Sequence, residues 1–489
     1  MNEDYSRVLE SRIQSYPLNS RRAVVIGRSL MVGDWKTFTD FLLSYFAERI
    51  GRRWIHDEMR KGDGHPIGQW ATAMRNQPSA QPVGVIAKSK ANNGFRSLLS
   101  AAYNLYLIEH HYEQYDEPLF ERLLSKLRVP NDFPSSLSET NAAASFLKAG
   151  FLLKYEDDLR PGHHAEFTAT YPLTGRRFSV EVKTRTGALV DDDQDLISRV
   201  KLKNKLSQAL KKQLPWTRVV FIDLNIPLIF TGIEGEFFDN MLAAVEDAER
   251  TLKIRGAPAP SAYLFLVNQP FHFNLNSLDG APMAAALGFR LDTFNPPRPA
   301  SFREIVLGRD QHPEMHALID SMKIHGEPPS TFDGQHPEFA FGDTTHPRWI
   351  VGNNYLVPGP NNEEVKAVLQ SAIAIPEQQT MHGVFLAKGA HFIAQAPMTE
   401  AEVSAYKRSP NTFFGIVQDV GRNAKDALEL AEFFYETYQH TPKEKLPEFL
   451  SKHPELERLR ALSQKDLAIF VCEQWALSAE AAPKRKNEK

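Results

Sequence analysis

The chain has 489 residues, of which 42% are hydrophobic, and its formal net charge is −3. This length leaves room for several domains of roughly 100–200 residues each, and the apolar fraction suits ordinary buried cores. The nearly neutral charge excludes a polycation that binds nucleic acid over its whole surface, so any such binding must be local.

Cysteine content and the absence of apolar runs bound the protein further. Cys472 is the single cysteine, which excludes an internal disulfide and a cysteine-rich zinc site and agrees with a reducing compartment. We expect it to pack in a helix near Phe470 and Trp475. No apolar run approaches the roughly 18 residues that cross a bilayer, and residues 1–7 lack the features of a secretory signal. A cytoplasmic protein without membrane contact is expected.

Residues 1–130 are predicted to be a mostly helical N-terminal region. Aromatic and leucine side chains recur at helical spacing over residues 35–46 and again over residues 98–107. Packing in a core explains these aromatics more simply than a ligand site does. Between the two stretches, residues 76–93 are rich in proline, serine, glutamine and asparagine, which predicts a surface connection.

An α/β domain is predicted for residues 131–275. Its first helix has Ser136 and Glu139 at the spacing of a capping box, and Gly150 supplies the C-terminal stop. The predicted elements that follow are strands at residues 151–155, 165–170 and 178–183, a helix at 196–214, a strand at 218–224, a helix at 237–252 and a strand at 262–268. This order predicts a mixed central sheet flanked by helices.

Two of these strands carry the candidate site. A turn at residues 173–175 would join them, which brings Glu166 near Glu181 and Lys183. Glu181 and Lys183 point to one face, because successive side chains of a strand alternate between faces. Two carboxylates and a lysine at one strand edge indicate a Mg²⁺ site.

The order of helix, three strands, helix and strand resembles the core of the PD-(D/E)XK, or restriction-endonuclease-like, nuclease superfamily. Glu139 matches the acidic helix position of that family, Glu166 the first metal-binding acid, Glu181 the second, and Lys183 the lysine. The match spans residues 137–224, and Ala165-Glu166 stands where the family has Pro-Asp. A glutamate in that place can still bind a hard cation, but with a different reach.

The resemblance implies a nuclease that hydrolyses phosphodiester bonds with Mg²⁺ or Mn²⁺ held by Glu166 and Glu181. The metal would position and acidify a water, and Lys183 would orient that water or stabilise charge on the phosphate oxygens. DNA is the expected substrate and RNA the alternative, and the pattern suits an endonuclease or an exonuclease. The plain structural explanation is an ion pair between Glu181 and Lys183 on an ordinary sheet.

A block of positive charge follows the proposed catalytic strand. Residues 199–218 contain lysines and arginines but no acidic residue, which suits contacts to a phosphate backbone and equally suits a solvated helix face. The candidate nucleic-acid contacts are Lys201, Lys203, Lys205, Gln208 and Lys212. In several branches of the superfamily a glutamine on this helix supports the site, and Gln208 would be its counterpart.

Two clusters beside the site have ordinary explanations. The acidic run at residues 191–193, with Asp195, is most simply a solvated loop that caps the following helix. The alternatives are another metal ligand or a screen for the positive site before nucleic acid binds. His163 and His164 lie in a loop just before Glu166, where a structural role is simpler than transition-metal binding or proton transfer.

The remaining regions carry no catalytic motif. Residues 276–347 are predicted to be a linker with a helical segment, in which His312 and His316 lie four apart without a third zinc ligand at suitable spacing. Residues 348–416 have short strands separated by turns and are predicted to form a small β-rich module. Residues 417–489 are predicted to hold helices and a mobile basic tail.

Three classes of function stay open. The first is the metal-dependent nuclease, and the second is a catalytically inactive nucleic-acid-binding protein of the same fold. The third is a scaffold whose helical regions bind a protein partner. Metal-dependent degradation of DNA or RNA would distinguish the first class from the other two.

Overall fold

The computed structural model describes most of the chain. The described residues are 13–18, 21–62, 64–76, 91–111, 117–156, 164–186, 200–227, 236–269, 272–278, 282–295, 301–324, 327–329, 332, 349–359, 363–387, 389–408, 410, 413–414, 426–451 and 453–481. The chain divides into a larger unit, Met1–Arg290 with Ala317–Val420, and a smaller unit, Leu291–His316 with Gly421–Lys489.

The N-terminal part of the larger unit combines a small antiparallel sheet with helices. The strands are β1 (Ser15–Leu18), β2 (Arg21–Ile26) and β3 (Ser29–Gly33). The helices are α1 (Phe38–Ile50), α2 (Arg52–Met59), α3 (Pro66–Arg75), α4 (Asn93–His110) and α5 (Glu117–Leu127). The helices agree with the prediction for this region, whereas the sheet is an addition to it. The predicted surface connection falls mostly on residues 77–90, which lie outside the described ranges.

Aromatic side chains of α1 and α4 form a buried core. The ring centroid of Phe38 lies 6.0 Å from that of Tyr103 and 5.5 Å from that of Tyr106. Tyr45 is fully buried beside them, and its hydroxyl donates a hydrogen bond to Glu109 Oε2 at 2.6 Å. The aromatic stripes therefore serve packing, as their helical spacing predicts.

A central mixed sheet dominates the larger unit. In chain order its elements are α6 (Phe133–Lys148), β4 (Leu152–Tyr155), β5 (Phe167–Thr170), β6 (Arg177–Thr184), α7 (Leu202–Leu210), β7 (Thr217–Asp223), α8 (Glu236–Thr251), the hairpin of β8 (Lys253–Ile254) and β9 (Ala257–Pro258), β10 (Ala262–Asn268) and β11 (Met283–Phe289). Within the described ranges the strand order is β11-β10-β7-β6-β5-β4. β6, β7 and β10 run parallel, and the other pairings are antiparallel. The predicted α/β class with a mixed sheet flanked by helices is confirmed.

Helices cover both faces of this sheet. On one face, Phe146 of α6 packs against Phe167 and Phe221, with ring centroids 5.6 and 5.9 Å away. On the other face, Leu206 of α7 joins one buried cluster with Val220 and with side chains of α8. Val220 pairs with Glu181 in the register of β6 and β7, so Glu181 lies on the face that α7 covers.

Two local predictions differ from the structure. The first helix of the domain begins at Phe133, so Ser136 and Glu139 lie inside it and the predicted capping box is wrong. Pro134 in the first turn provides the start signal instead, because proline costs no hydrogen bond there. The sheet also continues through β11, which falls in the stretch predicted to be a linker. The helix stop at Gly150 is confirmed by its left-handed φ of 79°.

The C-terminal part of the larger unit is the predicted β-rich module. A helix, α10 (Pro313–Ile324), spans the division between the units and precedes it. The module is an antiparallel sheet of β12 (Asn354–Pro358), β13 (Glu364–Ile375), β14 (Thr380–Ala387) and β15 (Ala390–Pro397), followed by α11 (Glu400–Arg408). Its inner face packs Leu369 and Phe385 with Trp349.

The smaller unit is helical. Its helices are α9 (Phe302–Gln311), α12 (Ala427–Tyr438), α13 (Leu456–Arg460) and α14 (Gln464–Ala481), with short 3₁₀ turns at Asp292–Phe294 and Leu446–Leu450. Cys472 is buried in the core of this unit, and Phe470 and Trp475 pack against that core as predicted. In the part of the chain that the structure describes, no helix combines the length and apolar character of a membrane span.

Candidate metal centre

The hairpin of β5 and β6 brings the predicted residues together. Gly175 adopts a φ of 67° in the connecting turn, a left-handed conformation that glycine allows without strain. The paired strands place Phe167 opposite Val180, and the Glu166 N–H donates to the Val180 carbonyl at 3.0 Å. Glu166 therefore lies beside Glu181 and shares its face of the sheet.

Lys183 joins the two carboxylates. Its Nζ donates to Glu181 Oε2 at 3.0 Å and to the carbonyl of Val182 at 2.9 Å. A third, longer bond reaches Glu166 Oε1 at 3.3 Å. Three oxygens, two from β6 and one from the residue before β5, thus converge on one cationic nitrogen. They lie near the carboxyl ends of the parallel strands β6 and β7, where α/β sheets bind ligands.

A second lysine completes the cluster. Lys212, which follows α7, donates from Nζ to Glu181 Oε1 at 2.7 Å and to the His164 carbonyl at 2.9 Å. Glu166 Oε1 lies 3.9 Å from the same nitrogen. The sequence predicted Lys212 to contact phosphates from the basic helix, whereas its side chain here pairs with the carboxylates. We call Glu166, Glu181, Lys183 and Lys212 the two-lysine cluster.

Burial and charge oppose each other in this cluster. The side chain of Glu181 is 1% exposed, and burial raises the pKa of its carboxyl group, although Lys183 and Lys212 partly offset this. Burial alone would lower the pKa of Lys183, but Glu181 and Glu166 attract its charge and raise the pKa above the ordinary value. Both carboxylates of the cluster thus have lysine partners.

Glu156 supports the strand end that carries Glu166. Its carboxylate accepts hydrogen bonds from the Ala165 N–H at 3.1 Å and from the Thr168 hydroxyl at 3.0 Å. His164 Nδ1 lies 3.4 Å from the same carboxylate. Sequence analysis missed Glu156, although its place directly after β4 puts it opposite Glu166 in the strand register. His164 therefore has a structural contact, and His163 lies outside the described residues.

The helix that carries Glu139 lies on the other face of the sheet. Glu139 is half-buried in α6, and the neighbouring Ser138 hydroxyl donates a hydrogen bond to Asp223 at the end of β7. Burial raises the pKa of Asp223, and the hydrogen bonds from Ser138 and the Asn225 N–H oppose that rise. The supporting role that the resemblance gives Glu139 stays a prediction.

The candidate nucleic-acid contacts point in different directions. Lys203 donates to the Thr251 hydroxyl at 2.7 Å and lies 3.6 Å from Asp247, both on α8. Lys205 turns toward the strand end and donates to the Thr184 carbonyl at 2.6 Å. Lys201 and Gln208 are exposed. The predicted helix at residues 196–214 is observed only over Leu202–Leu210, and residues 187–199, which include the acidic run, lie outside the described ranges.

The oxygens around Lys183 Nζ suit a hard cation. Two carboxylates and the Val182 carbonyl already surround a monovalent cation, and Mg²⁺ prefers oxygen ligands of this kind. Mg²⁺ also keeps several waters, so few protein ligands suffice, although oxygens must approach to about 2.0–2.1 Å. Over the described residues, no three His, Cys, Asp or Glu side chains form a group that could hold a metal. The donors therefore fit the ion only if Lys183 Nζ moves aside.

Comparison with known proteins adds no family. No family model, curated protein or solved structure matches this chain. Any functional proposal therefore depends on the geometry of the two-lysine cluster and on the motif resemblance.

Proposed function

We propose that the chain is a metal-dependent nuclease that hydrolyses phosphodiester bonds, with DNA as the first candidate substrate and RNA as the second. The observation that carries this proposal is the convergence of Glu166 Oε1, Glu181 Oε2 and the Val182 carbonyl on one cationic nitrogen. The same residues are those that the resemblance to the PD-(D/E)XK core singles out. The fold proposed for residues 131–275 is accordingly the restriction-endonuclease-like one.

Each residue has a distinct proposed role. Glu166 and Glu181 would hold Mg²⁺ or Mn²⁺ through their carboxylate oxygens, with the Val182 carbonyl as a third donor. Such an ion, when bound, supplies positive charge that lowers the pKa of water and offsets charge on the phosphate. Lys183, displaced from the carboxylates, would hold the attacking water or a non-bridging phosphate oxygen through its ammonium protons. Glu156 would keep the backbone before β5 in place.

One observation favours a second candidate, an inactive nucleic-acid-binding protein. Both oxygens of Glu181 accept hydrogen bonds from lysines, Oε2 from Lys183 and Oε1 from Lys212. A buried carboxylate whose two oxygens already have charged hydrogen-bond partners does not require a metal ion to compensate its burial. If divalent cations fail to displace the lysines, the fold would still present positive charge to a phosphate backbone.

The length of the acid at position 166 provides a test of the nuclease proposal. Glu166→Asp restores the residue usual in the family and should keep cleavage within about tenfold of the wild type, whereas Glu166→Ala should lower it at least a hundredfold. Cleavage of end-labelled single- and double-stranded DNA and RNA is measured with Mg²⁺ and with Mn²⁺. Equal rates for wild type and Glu166→Ala would remove Glu166 from the site.

Two exposed lysines at the ends of α7, its N-cap Lys201 and its C-cap Lys211, provide a separate test of nucleic-acid binding. Replacing Lys201 and Lys211 together with glutamine should weaken binding to all sequences alike, because phosphate contacts carry no base information. The slope of log affinity against log salt should fall by roughly 0.9 for each lost contact. Lys203→Gln is the comparison variant, and a smaller effect for each lysine replaced is expected because its ammonium already bonds to α8. An unchanged slope in the double variant would mean that these two lysines contact solvent and not phosphates.

A further inference from the structure

Lys212 and Lys183 reach the same carboxylate from different parts of the chain. Lys183 belongs to β6, two residues beyond Glu181, so the strand fixes its backbone. Lys212 lies in the segment between α7 and β7, just after the helix C-cap at Lys211. The side chain of Lys212 is 26% exposed against 18% for Lys183. Lys212 is thus the more exposed of the two partners of Glu181.

The contact of Lys212 with Glu181 is short and charge-assisted. The distance from its Nζ to Glu181 Oε1 is 2.7 Å, in the range of strong N⁺–H···O⁻ bonds. The His164 carbonyl at 2.9 Å is its second acceptor, and this carbonyl belongs to the strand end that Glu156 holds. One acceptor is a backbone carbonyl and the other is a buried carboxylate, so two hydrogen bonds fix the position of the Lys212 ammonium.

Lys212 opposes the binding of a divalent cation to Glu181 in two ways. The cation would bind Glu181 Oε2, while Lys212 already shares the charge of the same carboxylate through Oε1, and an ammonium within a few ångströms repels the cation. Charges so close interact strongly where water is scarce, and Glu181 is 1% exposed. On release, the Lys212 ammonium can donate hydrogen bonds to solvent because its side chain is partly exposed. Lys212 can therefore leave Glu181 without steric hindrance when a cation binds, but electrostatic interactions oppose this exchange.

We propose that Lys212 is a built-in counter-ion that competes with the divalent cation for Glu181 and so sets the cation concentration at which the site fills. The inference rests on the proposed function, because it assumes that Glu181 binds the cation. It adds a regulatory role for a residue that the motif resemblance does not include. In this arrangement Lys212 keeps the metal-free carboxylate satisfied and makes cation binding weaker than the oxygen donors alone would give.

The test is the affinity of the purified protein for Mn²⁺, measured by calorimetry or by electron paramagnetic resonance in the absence of nucleic acid. Lys212→Met removes the competing charge and should tighten Mn²⁺ binding roughly tenfold, which corresponds to about 1.4 kcal/mol. Lys212→Arg keeps the charge and should bind no more tightly than the wild type. Lys61→Met is the matched control, because Lys61 also pairs with a carboxylate but lies outside the two-lysine cluster. Its Nζ bonds to Glu58 Oε1 at a distance of 2.6 Å. This variant should leave the Mn²⁺ affinity unchanged.

The outcomes separate this inference from the proposed function. If the wild type binds Mn²⁺ and Lys212→Met binds it equally or more weakly, the counter-ion role is overturned while the metal site stands. If neither the wild type nor Lys212→Met binds Mn²⁺, both proposals fail. If Lys212→Met binds Mn²⁺ and the wild type does not, the inference is supported, and Lys212 prevents the wild-type site from binding the ion. Should Lys212→Met unfold, Lys212→Gln carries the same expectation, because it keeps a donor for Glu181 without the charge.

Discussion

Replacing Glu181 with glutamine is expected to weaken metal binding and cleavage by about two to three orders of magnitude. The substitution keeps the shape of the side chain but removes the negative charge that lies between Lys183 and Lys212. Loss of an outer-shell partner already costs 10–100-fold in metal affinity in typical sites, so loss of a direct ligand should cost about 100-fold or more. Cleavage should fall by about a thousandfold. Mn²⁺ titration and initial cleavage rates measure the two effects.

The control for this variant is stability, because two partly buried lysines lose the anion that they contact. Glu181→Gln should lower the free energy of unfolding by about 1–3 kcal/mol, as expected when a charged hydrogen-bond partner is removed. Glu58→Gln is a matched variant, since Glu58 is a buried carboxylate that accepts from Lys61 and from the His65 N–H. It should lose similar stability and keep Mn²⁺ affinity and cleavage. Full Mn²⁺ affinity in Glu181→Gln would show that the ion does not bind there.

Replacing Lys183 with methionine is expected to separate metal binding from chemistry. Lys183 Nζ occupies the point at which the three oxygens converge, so removing its charge should leave Mn²⁺ affinity equal to or above that of the wild type. The proposed contact to the water or phosphate is lost, and cleavage should fall by about 100- to 1000-fold. The measurements are the Mn²⁺ affinity of Lys183→Met and its cleavage rate at saturating Mn²⁺, each compared with that of the wild type.

Two results would contradict this role for Lys183. Cleavage at the wild-type rate would mean that the lysine takes no part in the reaction. An equal loss of Mn²⁺ affinity and of cleavage would mean that Lys183 positions the carboxylates of Glu166 and Glu181 and does not act on the substrate. Thermal unfolding of the variant is the control, since a misfolded protein would lose both properties.

The hairpin at the site could be predicted because its signals are local. Alternation fixes the shared face of Glu181 and Lys183, and the glycine turn fixes which strand pairs with which. The predicted strand at residues 262–268 has the bounds observed for β10. β11 escaped detection because three of its seven residues are alanine, which has low strand propensity, so its alternating burial is hard to recognise.

The role of Lys212 could not be predicted because it depends on tertiary structure. A run of lysines gives the summed charge of a segment but not the direction of each side chain. Here Lys203 turns to α8, Lys205 to the strand end and Lys212 to Glu181.

The small N-terminal sheet had a signal in the sequence, since the apolar run of β2 is followed by a turn at Gly27, whose φ of 54° is left-handed.

The most direct test of the nuclease proposal is cleavage of end-labelled DNA and RNA by the wild type and by Glu181→Gln purified in parallel. Each protein is incubated with Mg²⁺, with Mn²⁺ and with a chelator, and the products are resolved on denaturing gels. We predict shortened products with the wild type and either metal, and none with the chelator or with Glu181→Gln. No cleavage by the wild type with either metal, or equal cleavage by both proteins, would contradict the proposed site.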